Sequence, residues 1–353
     1  MPEKSELLSV LEEVLYSGMI AEGEHVYRFE HEFGQKFGIR NPLAMSSGTA
    51  ALHACLTLAG VGAGDEVIST PMTAEPTNTS ILYCGAKVVW ADVDPRSGNM
   101  DPASVRERIT PRTKAILCVH YAGYPTRLAE LRQIADENGI ALIEDCAHAL
   151  GASYNGTSVG TIGDYGIYSF QAIKHMTTVD GGLLAIADAQ KIVPAKKFRW
   201  FGMLKGVPRT EVDIDSIGYK YNMNNVTASI GLLQLRNIAG ILQRYVDNGK
   251  FYDTQLGSIP GLDFARCDEV AEPSYWLYTL LSDDSADLEK ALNAAGIAAS
   301  KLHRPNNLHS IFKSSQTELP GLDSFYKRLL HIPSGWWVTD EDRERIVDVM
   351  KRG

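Results

Sequence analysis

The sequences ALIEDCAHALGA at residues 141–152 and VGTIGDYGIYSFQAIKHMTTVDGGLLAI at residues 159–186 decide the fold. They predict strands that end at Asp145 and at Phe170, with Ser169 in the second strand and Lys174 shortly after it. In an open α/β sheet, ligands bind beyond the carboxyl ends of the strands. We therefore expect the carboxylate of Asp145, the hydroxyl of Ser169 and the amine of Lys174 to lie at one edge of a sheet.

This combination of side chains suits pyridoxal phosphate chemistry. A lysine can form an imine with the cofactor aldehyde, and an acid can keep the pyridinium nitrogen protonated. Lys174 is the candidate for the first role, Asp145 for the second, and Ser169 can donate to the cofactor phosphate. A lysine after a strand is also commonly a solvated loop residue, and an aspartate there is commonly an N-cap. These segments alone leave both interpretations open.

A second candidate for phosphate binding lies earlier, in AMSSGTAALHACLTLAGV at residues 44–61. It predicts a short strand, a turn that includes Ser47, Gly48 and Thr49, and then a helix. Small residues at a helix N-terminus expose backbone N–H groups, and the helix dipole favours an anion there. A plain helix capped by serine or threonine explains the same pattern.

Composition excludes several classes of protein. The chain has 353 residues, 44% of them hydrophobic and 22% charged, which is typical of a globular protein with one large domain and a smaller one. The net charge of −9 argues against nucleic acid or an anionic membrane as the main partner. The nine histidines do not have metal-ligand spacing, so no metal site is predicted.

Cysteine usage and the N-terminus predict a cytoplasmic protein. The five cysteines are odd in number and far apart, which favours a reducing compartment. The N-terminal sequence MPEKSELLSVLEEVL is charged and lacks the apolar region of a signal peptide. No apolar run approaches the ~18 residues of a membrane span.

Strands and helices alternate between residues 42 and 186, which predicts a mainly parallel sheet covered on both faces. We assign residues 1–240, with an N-terminal helical segment, to this large three-layer α/β domain. Residues 241–353 are assigned to a smaller C-terminal α/β domain. Its strands are predicted at 274–281, 298–302 and 330–333.

The motifs occur in one order over nearly the whole chain. They include SSGTAALHACL (46–56), GAGDEVISTPMT (62–73), IEDCAHALGASYNG (143–156), SFQAIKHMTTVDGG (169–182) and IGYKYNMNNVTASIGLLQL (217–235). In this order they resemble the DegT/StrS-type pyridoxal phosphate-dependent sugar aminotransferases. The resemblance implies the fold of aspartate aminotransferase, fold type I.

The resemblance also implies roles for individual residues. Lys174 forms the imine, Asp145 pairs with the pyridinium nitrogen, and His148 lies near the cofactor ring or its O3′. The residues that the resemblance places at the phosphate are Ser47, Gly48, Thr49 and Ser169. A homodimer with a shared active site is implied as well, in which Asn222 or Asn225 reaches the phosphate of the neighbouring subunit's cofactor.

Two departures from the family pattern affect the expected site. Ala74 stands where many members place an aromatic residue on the pyridine ring, so we expect ring packing from Met72 or His148. The sugar-contacting loop reads LHRPNNLH at residues 302–309, which suggests an unusual specificity. The candidate substrate-binding residues are Met72, His303, Arg304 and His309.

The implied reaction moves an amino group from L-glutamate to a keto sugar linked to a nucleotide. A 4-keto-6-deoxyhexose is the first choice and a 3-keto sugar the second. One alternative is a sugar dehydratase of the same fold, whose relatives carry histidine in place of the imine lysine. Another is a non-catalytic sensor, but Lys174 and Asp145 are both present. A nicotinamide-dependent enzyme would need a GxGxxG turn after an early strand, and none occurs.

Overall fold

The computed structural model describes residues 1–257 and 259–352 as a mixed α/β protein. The strands of these residues, numbered in chain order, are β1 (Pro42–Met45), β2 (Glu66–Ser69), β3 (Lys87–Trp90), β4 (Thr113–Val119), β5 (Ala141–Asp145), β6 (Ser153–Tyr154), β7 (Thr157–Ser158), β8 (Tyr165–Ser169), β9 (Gly182–Ile186), β10 (Leu262–Phe264), β11 (Ala271–Glu272), β12 (Tyr278–Ser282) and β13 (Leu329–Ile332). The helices are α1 (Lys4–Tyr16), α2 (Glu24–Phe37), α3 (Gly48–Leu58), α4 (Glu75–Tyr83), α5 (Pro102–Arg108), α6 (Leu128–Asn138), α7 (Ile192–Phe198), α8 (Asn225–Leu256), α9 (Ser285–Ala294), α10 (Pro320–Arg328) and α11 (Asp340–Arg352).

A seven-stranded sheet forms the centre of the molecule, in the order β1-β9-β8-β5-β4-β2-β3. The pairs β2–β3, β2–β4, β4–β5 and β5–β8 are parallel. Within this sheet, β9 alone runs against its neighbours β1 and β8. The predicted mainly parallel sheet is confirmed.

Neighbouring residues of each strand pack against helices on opposite faces of the sheet. Val67 and Ile68 follow each other on β2 but belong to two separate apolar clusters. The cluster of Val67 includes side chains of α3, and the cluster of Ile68 includes side chains of α2 and α6. Both faces are therefore covered, which explains why the strands are apolar throughout.

One edge of the sheet carries the residues of interest. β5 ends at Asp145, and the loop that follows β8 reaches Lys174. At the same edge, β1 ends at Met45 and the chain turns into α3 at Gly48. The carboxyl ends of parallel strands meet at one edge, so segments far apart in sequence come together there.

The C-terminal part contains a second, antiparallel sheet in the order β10-β12-β13. The helix α8 leads to it and runs unbroken from Asn225 to Leu256. The predicted division between residues 1–240 and 241–353 therefore falls inside a helix, and it stays a prediction. None of the helices in the two described ranges is long and apolar enough to cross a membrane.

The predicted strand over residues 274–281 is wrong in its first half. β12 begins only at Tyr278. Before it, Tyr275 has φ +48°, a left-handed conformation that a strand does not contain. The N–H of Ser274 donates to the carbonyl of Gly123 across 2.9 Å, so this segment is tied to the loop after β4 instead of to a sheet.

Two other short elements differ from expectation. The predicted strand at 298–302 is reduced to a single bridge between Ser300 and His331. The hairpin of β6 and β7 was not predicted, although its loop is Asn155-Gly156 with φ values of +49° and +71°. An Asn-Gly pair with two positive φ values is the sequence signal of a tight hairpin turn.

Candidate active site

Asp145 lies at the carboxyl end of β5 and is 2% exposed. Its Oδ2 accepts a hydrogen bond from the hydroxyl of Thr77 at 2.8 Å, and its Oδ1 accepts one from the N–H of Ala147 at 3.0 Å. Burial raises the pKa of Asp145, while these two donors and the positive charge of Lys174 oppose the increase. The carboxylate is therefore held in a fixed orientation and binds a proton more readily than an exposed aspartate.

Lys174 lies in the loop after β8, where its N–H donates to the carbonyl of Gln171 at 3.0 Å. Burial lowers the pKa of its amine from 10.5 to about 8, and the negative charge of Asp145 opposes the decrease. A lysine with this pKa has about a tenth of its amine in the free form at pH 7, far more than an exposed lysine. It can therefore act as a nucleophile and as a base, which an exposed lysine does poorly.

The N-terminus of α3 forms the opposite wall of the same site. Ser47 caps the helix, because its hydroxyl oxygen accepts from the N–H of Ala50 at 3.0 Å. Gly48 packs against Ser169, and a Cβ at position 48 would lie 3.0 Å from the Cβ of Ser169. The first N–H groups of a helix have no partner within the helix, so this close approach leaves backbone donors for an anion.

These elements enclose a cavity of about 320 Å³. It brings together most of the residues that the sequence predicted for cofactor binding: Ser47, Gly48, Thr49, Asp145, His148, Ser169 and Lys174. His303 of the C-terminal part lies at the same cavity, as do Thr77 and Ala74. The cavity thus combines an anion-binding helix end with an acid and an amine.

His148 contributes an imidazole ring to the cavity. The ring stacks on Trp276 with centroids 4.1 Å apart and lies parallel to the ring of His303 at 5.6 Å. Burial lowers the pKa of His148 well below its usual value, so the ring is neutral at pH 7. Its Nδ1 is buried and has no hydrogen-bond partner among the described residues. A polar atom of this kind can bind a ligand in the cavity.

Met72 does not reach the cavity. Its side chain is fully buried in the apolar cluster on the α3 face of the sheet. The expectation that Met72 packs on a ring is therefore corrected, because residue 72 points into the core while its neighbours Thr73 and Ala74 line the cavity. Of the two residues proposed in place of an aromatic side chain at position 74, His148 alone lies there.

Asn222 and Asn225 lie outside the cavity of their own chain. The side chain of Asn225 donates to the carbonyl of Met19 at 2.8 Å and accepts from the N–H of Val26 at 3.4 Å. The carboxamide oxygen of Asn222 accepts from the amine of Lys220 at 2.7 Å. Its carboxamide N–H donates to the carbonyl of Met223 at 3.2 Å. Asn225 therefore fastens the N-terminal loop, and both asparagines are buried and hydrogen-bonded within their own chain.

The loop over residues 302–309 lies at the rim. Arg304 is exposed, and its guanidinium donates to the carbonyl of Leu308 at 3.2 Å. The imidazole Nε2 of His309 lies 3.7 Å from a carboxylate oxygen of Glu75 on α4. These two residues lie near the site, but they do not line the cavity as His303 does.

Sequence reasoning missed three residues of the site. Thr77 was assigned only to a helix, Trp276 only to a strand, and Asn306 only to the loop at residues 302–309. Asn306 donates to the carbonyl of Thr73 at 2.8 Å and accepts from Asn78 at 2.9 Å, so it clamps the loop onto the wall of the cavity. An asparagine in a loop can be recognised as a candidate for such a hydrogen-bonding role. An apolar run such as SYWLYTLL does not indicate that Trp276 belongs to the site.

The donor set suits pyridoxal phosphate. The helix end of α3 and Ser169 offer donors to a phosphate group, and Asp145 lies deep in the cavity, where it can face a protonated ring nitrogen. Lys174 supplies an amine of lowered pKa, and the unpartnered Nδ1 of His148 is available to a polar substituent of the ring. The residues present therefore fit this cofactor.

Comparison with known proteins points the same way. The model of the DegT/DnrJ/EryC1/StrS aminotransferase family matches residues 2–351. The spore coat polysaccharide biosynthesis protein SpsC of Bacillus subtilis is 30% identical over 366 aligned positions, which cover 99% of this chain and 94% of that protein.

Two solved structures illustrate the similarity in fold. The sugar aminotransferase CalS13 from Micromonospora echinospora is 36% identical with a TM-score of 0.96, covering 100% of this chain and 98% of that one. Spr1654 from Streptococcus pneumoniae, solved in its PLP form, is 26% identical with a TM-score of 0.92, covering 99% and 96%.

Proposed function

Because the chain belongs to the DegT/DnrJ/EryC1/StrS aminotransferase family, we propose that it transfers the amino group of L-glutamate to the keto carbon of a nucleotide-linked sugar. The chain is a pyridoxal phosphate-dependent aminotransferase of fold type I. A 4-keto-6-deoxyhexose is the acceptor we favour, and a 3-keto sugar is the next candidate. The single observation that carries the proposal is the amine of Lys174, with its pKa of about 8, in one cavity with Asp145 and the N-terminus of α3.

When bound, pyridoxal phosphate supplies an electron-withdrawing ring that makes the proton on the amino-bearing carbon of the donor acidic. Lys174 accepts that proton on Nζ and returns a proton to the neighbouring carbon. Its lowered pKa makes both transfers feasible near neutral pH, because the free and protonated amine are both populated. A matched pKa is what a group needs when it acts first as base and then as acid.

Asp145 would hold a proton at the ring nitrogen of the bound cofactor. Its burial and its bonds to Thr77 and Ala147 fix the position of the carboxylate, so it need not reorient during the reaction. Ser47, Gly48, Thr49 and Ser169 would hold the phosphate. His148 would lie beside the ring, and its unpartnered Nδ1 would be available to a ring substituent.

The acceptor sugar would enter from the rim. His303 lines the cavity, and Arg304 and His309 belong to the same loop. Arg304 is the exposed cation of this loop, suited to the diphosphate of a nucleotide. The lysine at position 174 argues against the dehydratase alternative, since dehydratases of this fold lack it. The same residue argues against a non-catalytic sensor.

We also propose a homodimer with a shared active site. Support comes from large apolar side chains of the N-terminal segment that are exposed in the single chain, among them Leu15, Tyr16, Met19 and Ile20. The asparagine that we assign to the partner's phosphate is Asn222 or Asn225, and Asn225 also fastens this segment. A cytoplasmic location is proposed from the five cysteines, all of which are free.

The test supplies the purified protein with pyridoxal phosphate, L-glutamate and a panel of dTDP-, UDP- and GDP-linked keto sugars. Formation of 2-oxoglutarate together with an amino sugar of the expected mass supports the proposal. Loss of the keto sugar by dehydration, without 2-oxoglutarate, would assign the chain to the dehydratase alternative. No conversion of any sugar, with no release of 2-oxoglutarate from L-glutamate, would contradict the proposed reaction.

A further inference from the structure

The amine of Lys174 has a neighbour that the proposed reaction does not use. Its Nζ lies 3.9 Å from the centroid of the Trp276 ring. A cation this close to the face of an indole is attracted by the ring's electron density, and tryptophan is the strongest of the aromatic side chains in this respect. The two residues are about a hundred positions apart, one in the loop after β8 and the other just before β12, so the contact depends on the fold.

The backbone conformation before β12 fixes the position of the Trp276 ring. Tyr275 adopts φ +48°, which is uncommon for a tyrosine and costs conformational energy. Its hydroxyl donates to Asp253 at 2.6 Å, and its carbonyl accepts from the hydroxyl of Ser334 at 2.8 Å. Gly123 has no side chain here because a Cβ would lie 2.7 Å from the N atom of Trp276. The surroundings therefore hold Trp276 in one orientation.

The indole is also fixed to the lysine loop. Its N–H donates to the carbonyl of Ile173, the residue before Lys174, across 2.9 Å. The ring of His148 stacks on it at 4.1 Å. Trp276 is 4% exposed, so the ring cannot rotate away without breaking these contacts.

Two groups beside Lys174 stabilise its ammonium form. Asp145 is the carboxylate that lowers the energy of the cation. The imidazoles that face it are His148, His175 and His303, and burial lowers the pKa of each, to about 4 for the last two. They are neutral at pH 7 and therefore do not repel the ammonium, and the face of Trp276 is the second group that stabilises it.

We propose that Trp276 is a positioning residue that holds the amine of Lys174 beside the cavity whenever that amine is not bonded to the cofactor. This inference rests on the proposed role of Lys174. When the incoming amino donor releases the lysine, its flexible four-carbon side chain can adopt many conformations. The amine keeps a defined position only if another residue binds it. The indole holds Nζ beside the cavity, where the amine would be placed to accept and return a proton.

The test measures the lysine directly in the cofactor-free protein. Acetic anhydride labels free amines, and mass spectrometry of the peptide that contains Lys174 gives its rate of labelling at pH 7. The variants are Trp276→Phe, which keeps an aromatic face without the N–H, and Trp276→Leu, which removes the face. Trp337→Leu is the control, because Trp337 is an exposed tryptophan of the C-terminal part that packs on Tyr245 instead of on the lysine.

We expect Trp276→Leu to raise the labelling rate of Lys174 by about fivefold, because losing the cation–π contact lowers the pKa of the amine by about one unit and raises its free fraction at pH 7. Trp276→Phe should lie between the leucine variant and the native protein, and Trp337→Leu should match the native protein. In the loaded enzyme, kcat should fall in the same order while KM for L-glutamate stays within about twofold. Should Trp276→Leu not fold, Trp276→His takes its place, since it keeps a planar ring with a weaker π face.

Equal effects of phenylalanine and leucine would overturn the inference, because the N–H bond to Ile173 and not the ring face would then control the lysine. Unchanged labelling in both variants would overturn it as well. The proposed reaction is judged separately. If labelling responds as expected while L-glutamate yields no 2-oxoglutarate, the reaction is wrong; if the reaction proceeds and labelling does not respond, the inference is wrong.

Discussion

Glu144 and Asp145 are adjacent on β5, and their carboxylates lie on opposite faces of the central sheet. Asp145 lines the cavity and accepts from Thr77. Glu144 is fully buried on the other side, where it accepts from the N–H groups of Gly160 at 2.7 Å and Ile162 at 2.8 Å. Successive side chains of a strand point to opposite faces of the sheet, so the two neighbouring carboxylates lie on different sides. The pair therefore offers a comparison, in one segment, of the carboxylate that we propose is catalytic with a carboxylate that bonds only within the fold.

Asp145→Asn removes the negative charge and keeps the shape of the side chain. We expect the variant to bind pyridoxal phosphate but to lose activity by several orders of magnitude, because a neutral amide does not hold a proton at the ring nitrogen. Steady-state kinetics with L-glutamate and the acceptor sugar measure the loss. A rate close to that of the native enzyme would contradict the role of Asp145.

Glu144→Gln is the matched substitution on the other face. We expect it to lower the free energy of unfolding by about 2–4 kcal/mol, because the new NH₂ group would face backbone N–H donors that now bind a carboxylate. Activity per folded molecule should change little. Urea unfolding measures the effect, and an unaltered free energy of unfolding would show that these bonds contribute nothing net.

The buried imidazole of His175 makes the free energy of unfolding depend on pH. Burial lowers its pKa to about 4, and its ring lies 3.1 Å from the carbonyl of Ser274, to which it donates through Nε2. The unfolded chain, with an ordinary pKa near 6.5, binds more protons between pH 4 and 6.5, so stability is full above that window and falls as the pH falls through it. The loss amounts to at most about 3 kcal/mol.

The variant His175→Gln keeps a donor for the carbonyl of Ser274 and cannot be protonated. The difference in free energy of unfolding between the native protein and the variant should shrink from pH 7 to pH 5. Urea unfolding at several pH values measures it. A difference that is constant over this range would contradict a neutral buried imidazole at position 175.

Asn306 connects the rim loop to the wall of the cavity through Thr73 and Asn78. We expect Asn306→Ala to raise KM for the acceptor sugar by about tenfold, which corresponds to one lost hydrogen-bonding group. KM for L-glutamate should change much less, since the loop lies at the rim. Asn307→Ala, at the neighbouring position, is the control. Equal changes in both KM values would mean that the loop does not discriminate between the two substrates.

The large sheet was predictable because its strands are short apolar runs separated by helices with clear periodicity and caps. Leu128–Asn138 illustrates this, since Gly139 ends the helix in the left-handed conformation that the sequence suggests. Asp145, Lys174 and the turn at Ser47 could be located because strand ends in such a sheet converge. Their roles follow from the family resemblance and not from the pattern alone.

Long-range placement was not predictable from a single sequence. Trp276 sits in an apolar run that favours a strand, and the positive φ of Tyr275 arises from contacts with Gly123 and Asp253, both distant in sequence. Trp276 was not expected at the site, whereas Met72 was expected there. Met72 is next to residues that line the cavity, but its own side chain is buried in the core. Tertiary contacts decide such orientations, and local propensity does not contain them.

The measurement that tests the central claim most directly is the absorbance spectrum of the protein with pyridoxal phosphate, before and after L-glutamate. It compares the native chain with Lys174→Ala and with Lys196→Ala, a substitution of an exposed lysine on α7. We predict a visible band from lysine-bound cofactor in the native chain and in Lys196→Ala, replaced by near-ultraviolet absorbance on addition of L-glutamate, and no such band in Lys174→Ala. A Lys174→Ala protein that keeps the band and its response to L-glutamate would contradict the account.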